Sequence, residues 1–261
     1  MKNIILIISL TAFCILFTAA LEASHYESAR SLSMAKSFTA LAMDYHAIGI
    51  NPANLALSSG NNFSFELFSV GADISNNSFS LSDYNSYNGE YLTEADKNDI
   101  LSKIPENGLQ GSGETGISAL SFSRGQIAFG ITGHADGKAS IDKKILELVF
   151  NGNTIGDTMD ISNAYGTGIA RMDFNLSYAR ELKRLGWGVV NWGINLKYIY
   201  GLRYANVEEA SAYVATTLSG IDSEGAIQLK TSSGGSGFGI DLGLSAEYRQ
   251  EWIFSLAVTN I

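Results

Sequence analysis

From Phe238 to Tyr248 the chain alternates without a break. Phe238, Ile240, Leu242, Leu244, Ala246 and Tyr248 are apolar, while Gly239, Asp241, Gly243, Ser245 and Glu247 between them are small or charged. Successive side chains of a strand point to opposite faces, so one face here is wholly apolar and the other carries two carboxylates. The same period returns in Met172, Phe174, Leu176 and Tyr178, in Ile127, Phe129 and Ile131, and in Trp252, Phe254, Leu256 and Val258. Segments of about ten residues with one apolar face, joined by turns, are expected of a transmembrane β-barrel. A soluble β-sandwich also alternates, and the rest of the chain must separate the two.

The N-terminus favours export. Met1-Lys2-Asn3 is a short basic start, Ile4 to Ala20 is an apolar run, and small residues follow at Ala19, Ala20 and Ala23. This pattern predicts a secretory signal peptide over residues 1–23, cleaved after Ala20 or Ala23. The alternative is a retained anchor, for which the run falls short of a comfortable span of roughly 20 residues. Cys14, the only cysteine, follows Phe13, where lipid attachment calls for a small residue. The mature chain then has no thiol, no disulfide framework and no cysteine metal site. No later stretch is apolar for long enough to be a membrane helix. An exported chain of amphipathic strands fits the outer membrane of a Gram-negative cell.

Composition agrees. Glycine occurs 27 times, proline twice, tyrosine 12 times and phenylalanine 13 times, a bias towards long sheets with aromatic girdles. The net charge of −9, with no basic run, leaves nucleic-acid binding without an electrostatic footprint.

Seven strands are expected. Strand A starts at about Asn61 and runs through a bend near Gly71 towards Leu81. Strand B covers Ile117 to Ser123 and strand C Gln126 to His134. Strand D covers about Gly166 to Glu181 and strand E Trp187 to Tyr204. Strand F covers about Gln228 to Arg249, loosened by Ser232 to Gly237, and strand G follows Gln250-Glu251. The connections run long, short, long, short, long, short, the third long one being the polar, acidic stretch from Ala205 to about Gly225. Outer-membrane barrels sort short turns and long loops to opposite sides, and a Greek-key sandwich has no reason to. Single-chain bacterial barrels use even strand numbers, and an open edge is not tolerated in hydrocarbon. The expected fold is therefore all-β: an antiparallel up-and-down transmembrane β-barrel, incomplete within this chain, with an N-terminal hatch-like segment. The chain reads as the first half or so of a longer barrel, or else as one of several chains that close a barrel together. The domain reading is 1–23 signal peptide, 24–60 hatch-like segment and 61–261 barrel strands with long extracellular loops.

The first long connection carries a helix of its own. Thr93 caps a helix from Glu94, with Asp96 as capping-box partner, and Pro105 with Gly108 ends it. Leu92, Ile100, Leu101 and Ile104 form its apolar stripe. That stripe either packs on the barrel rim, or covers the mouth or holds an apolar ligand.

From Ser28 to Leu57 the chain is rich in Ala, Ser and Met and ends in Gly49-Ile50-Asn51-Pro52-Ala53-Asn54-Leu55-Ala56. Ala29-Arg30, Met34 and Phe38-Thr39-Ala40 fall in register with the pattern G-A-R-x-x-G-M-G-x-A-x-x-A-x-x-D, Asp44 stands one place past its Asp, and Asn51-Pro52-Ala53 matches the later N-P-A-G-L. The segment resembles the N-terminal region of the FadL-like outer-membrane barrels, a family that includes the long-chain fatty-acid transporter FadL and the PorV component of type IX secretion. Ser33 and Ala35 stand where the family has glycines, and Asn54 replaces the glycine after Asn-Pro-Ala. The insert from Thr93 to Gly108 and the strand Gly239-Ile240-Asp241-Leu242-Gly243 resemble a Bacteroidetes-type branch of these barrels. The resemblance implies that Ser28 to Leu57 folds into the lumen as a hatch, with Asn51, Pro52 and Ala53 as its turn. Pro52 fixes φ and biases Asn51 towards an extended conformation, and the Asn51 side chain can satisfy nearby backbone groups. The other reading of the segment is an ordinary lead-in to strand A.

Signs of catalysis are poor. His25, His46 and His134 are not at metal-ligand spacing with another ligand. Gly111 to Gly116 matches G-x-G-x-x-G, yet it leads into a strand, so no helix N-terminus is there to hold a phosphate. No G-x-S-x-G elbow occurs to support a hydrolase built on His134. No catalytic residue, metal site or cofactor is expected. Asp173, Asp241 and Glu247 are expected to face the lumen as a water-facing lining. Two function classes stay open. One is passive passage of a fatty acid or other hydrophobic molecule across the outer membrane, as in FadL. The other is a docking platform for exported proteins, as in PorV, with the acidic third loop as contact surface. The expected partners are the lipid bilayer and one of these, with no nucleic acid.

Overall fold

The computed structural model describes residues 29–261 except 36, 61, 157, 162, 163 and 250. The expected signal peptide, and the first residues of the hatch-like segment, lie outside the described residues.

One antiparallel sheet dominates. Its strands are β1 (Phe63–Glu66), β2 (Ser69–Asn76), β3 (Leu109–Arg124), β4 (Ile127–Ile141), β5 (Thr158–Ile161), β6 (Tyr165–Leu185), β7 (Gly188–Thr217), β8 (Gly220–Ser233), β9 (Ser236–Tyr248) and β10 (Trp252–Val258). The hydrogen-bonded order is β1-β3-β4-β6-β7-β9-β10, while β2 pairs with β3, and β5 and β8 pair with β7. Short strands thus continue longer ones: β1 with β2, β5 with β6, and β8 with β9 each form one interrupted lane. The result is seven lanes in an up-and-down meander, as expected from the alternation, and the described strands do not close on themselves.

A short α1 (Ala29–Ser33) opens the described chain. The other helices stand at one end of the meander: α2 (Leu81–Tyr87) and α3 (Glu94–Lys103) join β2 to β3, and α4 (Lys143–Asn151) follows β4. Both α2 and α3 begin with a complete capping box, Ser80 with Asp83 and Thr93 with Asp96. The second of these is the helix the sequence predicts; the first it does not. At the opposite end the turns at Gly125, between Leu185 and Gly188, and between Tyr248 and Trp252 are tight.

The third expected excursion is not a loop. β7 runs on to Thr217 and returns as β8, paired from Thr217↔Gly220 to Arg203↔Ser233 with one bulge between Val207 and Glu209. Expected strand F is accordingly two pieces, broken at Gly234 and Gly235, which both have positive φ. β3 is also longer than expected and takes in Gly111 to Gly116.

Burial is inverted relative to a soluble sheet. Ser121, Ser123, Asp173, Asn175, Ser177, Asn191, Asn195, Lys197, Asp241, Ser245 and Glu247 are buried, whereas Phe65, Phe122, Leu176, Leu196, Tyr198, Phe238, Leu242, Leu244, Phe254 and Leu256 are exposed. The strands hold their polar face inward and their apolar face outward.

Candidate functional site

Residues 38–58 lie on that polar face near the end with the tight turns. Two 3-10 turns, Asp44–Ala47 and Pro52–Ala56, give the segment its shape. Asn51 is extended, its side-chain oxygen accepts from Ala53 N at 3.1 Å, and Pro52 supplies the fixed φ at the start of the second turn. Asn54 is wholly buried and its amide donates to the carbonyls of Thr39 and Ala42, at 2.8 and 2.9 Å. The segment is thereby tied to itself before it meets the sheet.

Its attachment to the wall has two sides. Towards β9 and β10 it is polar. Asn51 Nδ2 donates to the Leu244 carbonyl at 3.3 Å, and Ser245 Oγ donates to the Ala53 carbonyl at 3.4 Å. Ser255 Oγ donates to Asn54 Oδ1 at 3.1 Å. Ser58 donates its N–H to Glu247 Oε1 at 2.6 Å and its hydroxyl to Glu247 Oε2. Towards β4 and β6 it is apolar: Ala47, Ile48 and Leu55 form one cluster with Ala128 and Ala179. Glycines make the room. A Cβ at Gly243 would overlap Asn51 Oδ1 and come to 3.0 Å from Ala53 N; one at Gly193 would overlap Ala53 N and the Pro52 carbonyl carbon.

Beyond the segment the same face carries a connected polar ladder. Lys197 Nζ is 2.8 Å from Asp241 Oδ1, with both side chains buried. Asn195 donates to Asp241 Oδ2 at 2.7 Å and to Asn175 Oδ1 at 3.0 Å, and accepts from Ser177 Oγ at 2.8 Å. Asn260 closes the ladder: its N–H donates to Asp241 Oδ1 at 2.9 Å, and its side-chain oxygen accepts from Lys197 at 2.8 Å. Asp173 lies 3.7 Å from His134 Nε2 and 3.5 Å from Arg171 Nε. Taking two charges from water is expensive, and such a pair persists only where further hydrogen bonds satisfy it, as Asn195 and Asn260 do here.

The structure therefore places Asp173, Asp241 and Glu247 on one face with Asn51, Pro52 and Ala53; Asp241 and Glu247 are hydrogen-bonded rather than a free lining, and Asp173 is buried within ion-pair distance of His134 and Arg171. Sequence reasoning missed Gly193, Ser245, Asn195 and Lys197. Gly193 and Gly243, small residues at inward positions of neighbouring strands, were the available signal.

Leu92, Ile100, Leu101 and Ile104 are committed elsewhere. Ile100, Leu101 and Ile104 are buried with Phe79, Tyr87, Leu92, Leu109, Leu146 and Phe150 in a small core between α3, α4 and the start of β3. Lys103 bridges Asp83 at 2.7 Å and Asp99 at 2.6 Å. Its hydrogen bond holds each carboxyl below the usual range, with Ser80 helping at Asp83 and Tyr87 at Asp99, and the same pairs raise Lys103. This face packs on neighbours. Beside it a cleft of about 650 Å³ opens between Asn107, Gln110, Tyr165, Val207 and Glu208.

Among the described residues no group of three or more His, Cys, Asp or Glu is placed to hold a metal ion. No described helix is long and apolar enough to cross a membrane, which leaves the strands untouched by that test.

Residues 52–233 match the model of DUF5723, a family of unknown function. The chain belongs to that family. The match begins at Pro52, inside the Asn-Pro-Ala turn, and ends with β8, so the DUF5723 region takes in part of the N-terminal segment, helices α2 to α4 and the tall β7–β8 hairpin. No curated protein and no solved structure matches the chain.

Proposed function

We propose that this chain forms membrane-spanning strands of a FadL-like barrel in the outer membrane of a Gram-negative cell, plugged from the periplasmic side by its N-terminal segment. Its activity in this reading is passive passage of a hydrophobic small molecule. The observation that carries the proposal is the inverted burial: an exposed apolar face outside, and a polar face inside covered by residues 38–58.

The dimensions agree. On β9 the outward residues begin with Phe238, end with Tyr248 and are aliphatic between. Ten steps at ~3.3 Å, tilted by about 40°, give an apolar band about 25 Å tall with an aromatic at each edge. Ala35, at one of the positions where the FadL-like pattern has glycine, has a φ of 50°, the left-handed region in which glycine is at ease. The tight turns then lie in the periplasm, and α2, α3 and α4 lie outside.

A second reading, protein docking as in PorV, is favoured by the β7–β8 hairpin. It rises past the apolar band, and every residue of β8 is exposed. Mass spectrometry of what co-purifies with the full-length protein separates the two: a bound apolar molecule supports passage, a co-purifying protein supports docking. Single cysteines test the membrane assignment itself. At Asp99, Asn153 and Asp222 they should label from outside intact cells, and at Arg184 they should not; labelling at Arg184 with protection at Asp222 inverts the topology.

A further inference from the structure

We propose that Gly193 and Gly243 are the seat of the N-terminal segment and Glu247 its latch, so that residues 51–58 leave the wall as one unit. This rests on the reading of that segment as a plug. Gly193 and Gly243 are direct cross-strand partners. Neither has the positive φ that would require glycine, and glycine in a strand interior weakens the strand. What both positions supply is space, and Asn51, Pro52 and Ala53 occupy it. The occupant is stiff, because Pro52 and the bond from Ala53 N to Asn51 Oδ1 fix its turn.

The bonds that hold it differ in kind. Those at Leu244, Ser245 and Ser255 join neutral groups. Glu247 offers a carboxylate, which takes both donors of Ser58, and charge-assisted bonds of this sort are the stronger ones. Towards β4 and β6 the contact is apolar and undirected. A segment held by direction on one side and by packing on the other is released when the directed side fails.

Planar-bilayer conductance of the full-length protein tests this, using Gly243→Ala, Glu247→Ala, Glu247→Gln, a deletion of residues 29–57, and the first two substitutions repeated in the deleted chain. Gly243→Ala and Glu247→Ala should conduct at the level of the deletion. Glu247→Gln keeps one acceptor and should fall between parent and deletion. In the deleted chain neither substitution should change conductance further, because the three atoms nearest a Cβ at Gly243 belong to the missing segment, and Ser58, left without that segment, has nothing to hold against the wall. Closed Gly243→Ala and Glu247→Ala variants beside a conducting deletion would overturn the seat and latch and leave the plug standing. A deletion that conducts no better than a closed parent would overturn the plug itself. Effects that persist in the deleted chain would place the two residues in the wall's own folding and also defeat the proposal. Heat-modifiable migration on gels reports whether each variant folds; if Gly243→Ala does not, Gly193→Ala replaces it and is read in the same way.

Discussion

β8 and β9 pair with the same strand, and their environments could hardly differ more. Along β9 burial alternates with each residue, Asp241, Gly243, Ser245 and Glu247 inside and Ile240, Leu242 and Leu244 outside. Along β8 all residues are exposed. Backbone pairing with β7 runs the length of both regions, with one bulge at Glu208 in the β8 region, so the ladder alone does not account for the difference. What β9 has and β8 lacks is a covered face, with the N-terminal segment and the Lys197–Asp241 ladder on it. Pairing makes a strand; a second layer makes a wall.

The comparison can be broken most severely at its ion pairs. Lys197–Asp241 joins β7 to β9 with both side chains buried, and Lys230–Glu208 joins β8 to β7 at 3.1 Å with side chains 67% and 35% exposed. Asp241→Ala leaves a buried ammonium without its partner and should cost about 3–5 kcal/mol, whereas Glu208→Ala should cost about 0–1. Denaturant unfolding in micelles measures both, and equal costs would mean that the inner wall is wet and open.

Next in size is the outward face. Arginine at Leu242, near the middle of the apolar band, should cost roughly 2–4 kcal/mol in a bilayer, and arginine at Ile227 on β8 close to nothing. Folding into vesicles of defined thickness gives both numbers. A similar cost at the two sites would sink the assignment of β9 to the membrane and β8 to water.

A smaller effect, of opposite sign, sharpens the picture of the wall. Asn191 is fully buried, and neither polar atom of its side chain has a hydrogen-bond partner among the described residues. An unmet buried amide costs about 1–3 kcal/mol, so Asn191→Leu should raise the unfolding midpoint rather than lower it. Loss of stability would show that the amide is bonded in the working protein.

The smallest effect belongs to the helices, outside both regions. Asp83 and Asp99 are held below the ordinary carboxylate range by Lys103. A depressed carboxyl contributes stability above its unfolded pKa of about 4 and loses it as the pH falls through its lower folded value. The raised Lys103 contributes below its unfolded pKa and loses that only in strong alkali. The α2–α3 pair should therefore loosen in acid below about pH 4, seen as faster proteolysis there while the strands stay protected. Unchanged proteolysis in Lys103→Met across that range would show that the cluster contributes little.

Much of this molecule was legible in one dimension. Period-two alternation is a local property, and it marked the inward and outward sets of β4, β6, β9 and β10 before any pairing was known. The capping box at Thr93 and Asp96 is local too, and so are the tight turns at Gly125 and after Tyr248. The stretch from Ala205 to Gly225 misled because its polar composition suggests a loop. Composition reports exposure, and a strand exposed on both faces is as polar as a loop. Glu208 also bulges out of the ladder, since Val207 and Glu209 pair with adjacent residues of β8, and that shift breaks the period a sequence pattern would look for.

The inner face marks the boundary of what sequence alone can determine. Alternation says that Asp241 and Glu247 point away from the apolar side, and nothing more. That Asp241 meets Lys197 and Asn260, and that Glu247 meets Ser58, depends on residues from 19 to 189 positions away. Which of these come together depends on the order of the lanes and on the path of the N-terminal segment across them. The period of a strand fixes a direction for each side chain, and only the tertiary structure supplies what stands at the end of it.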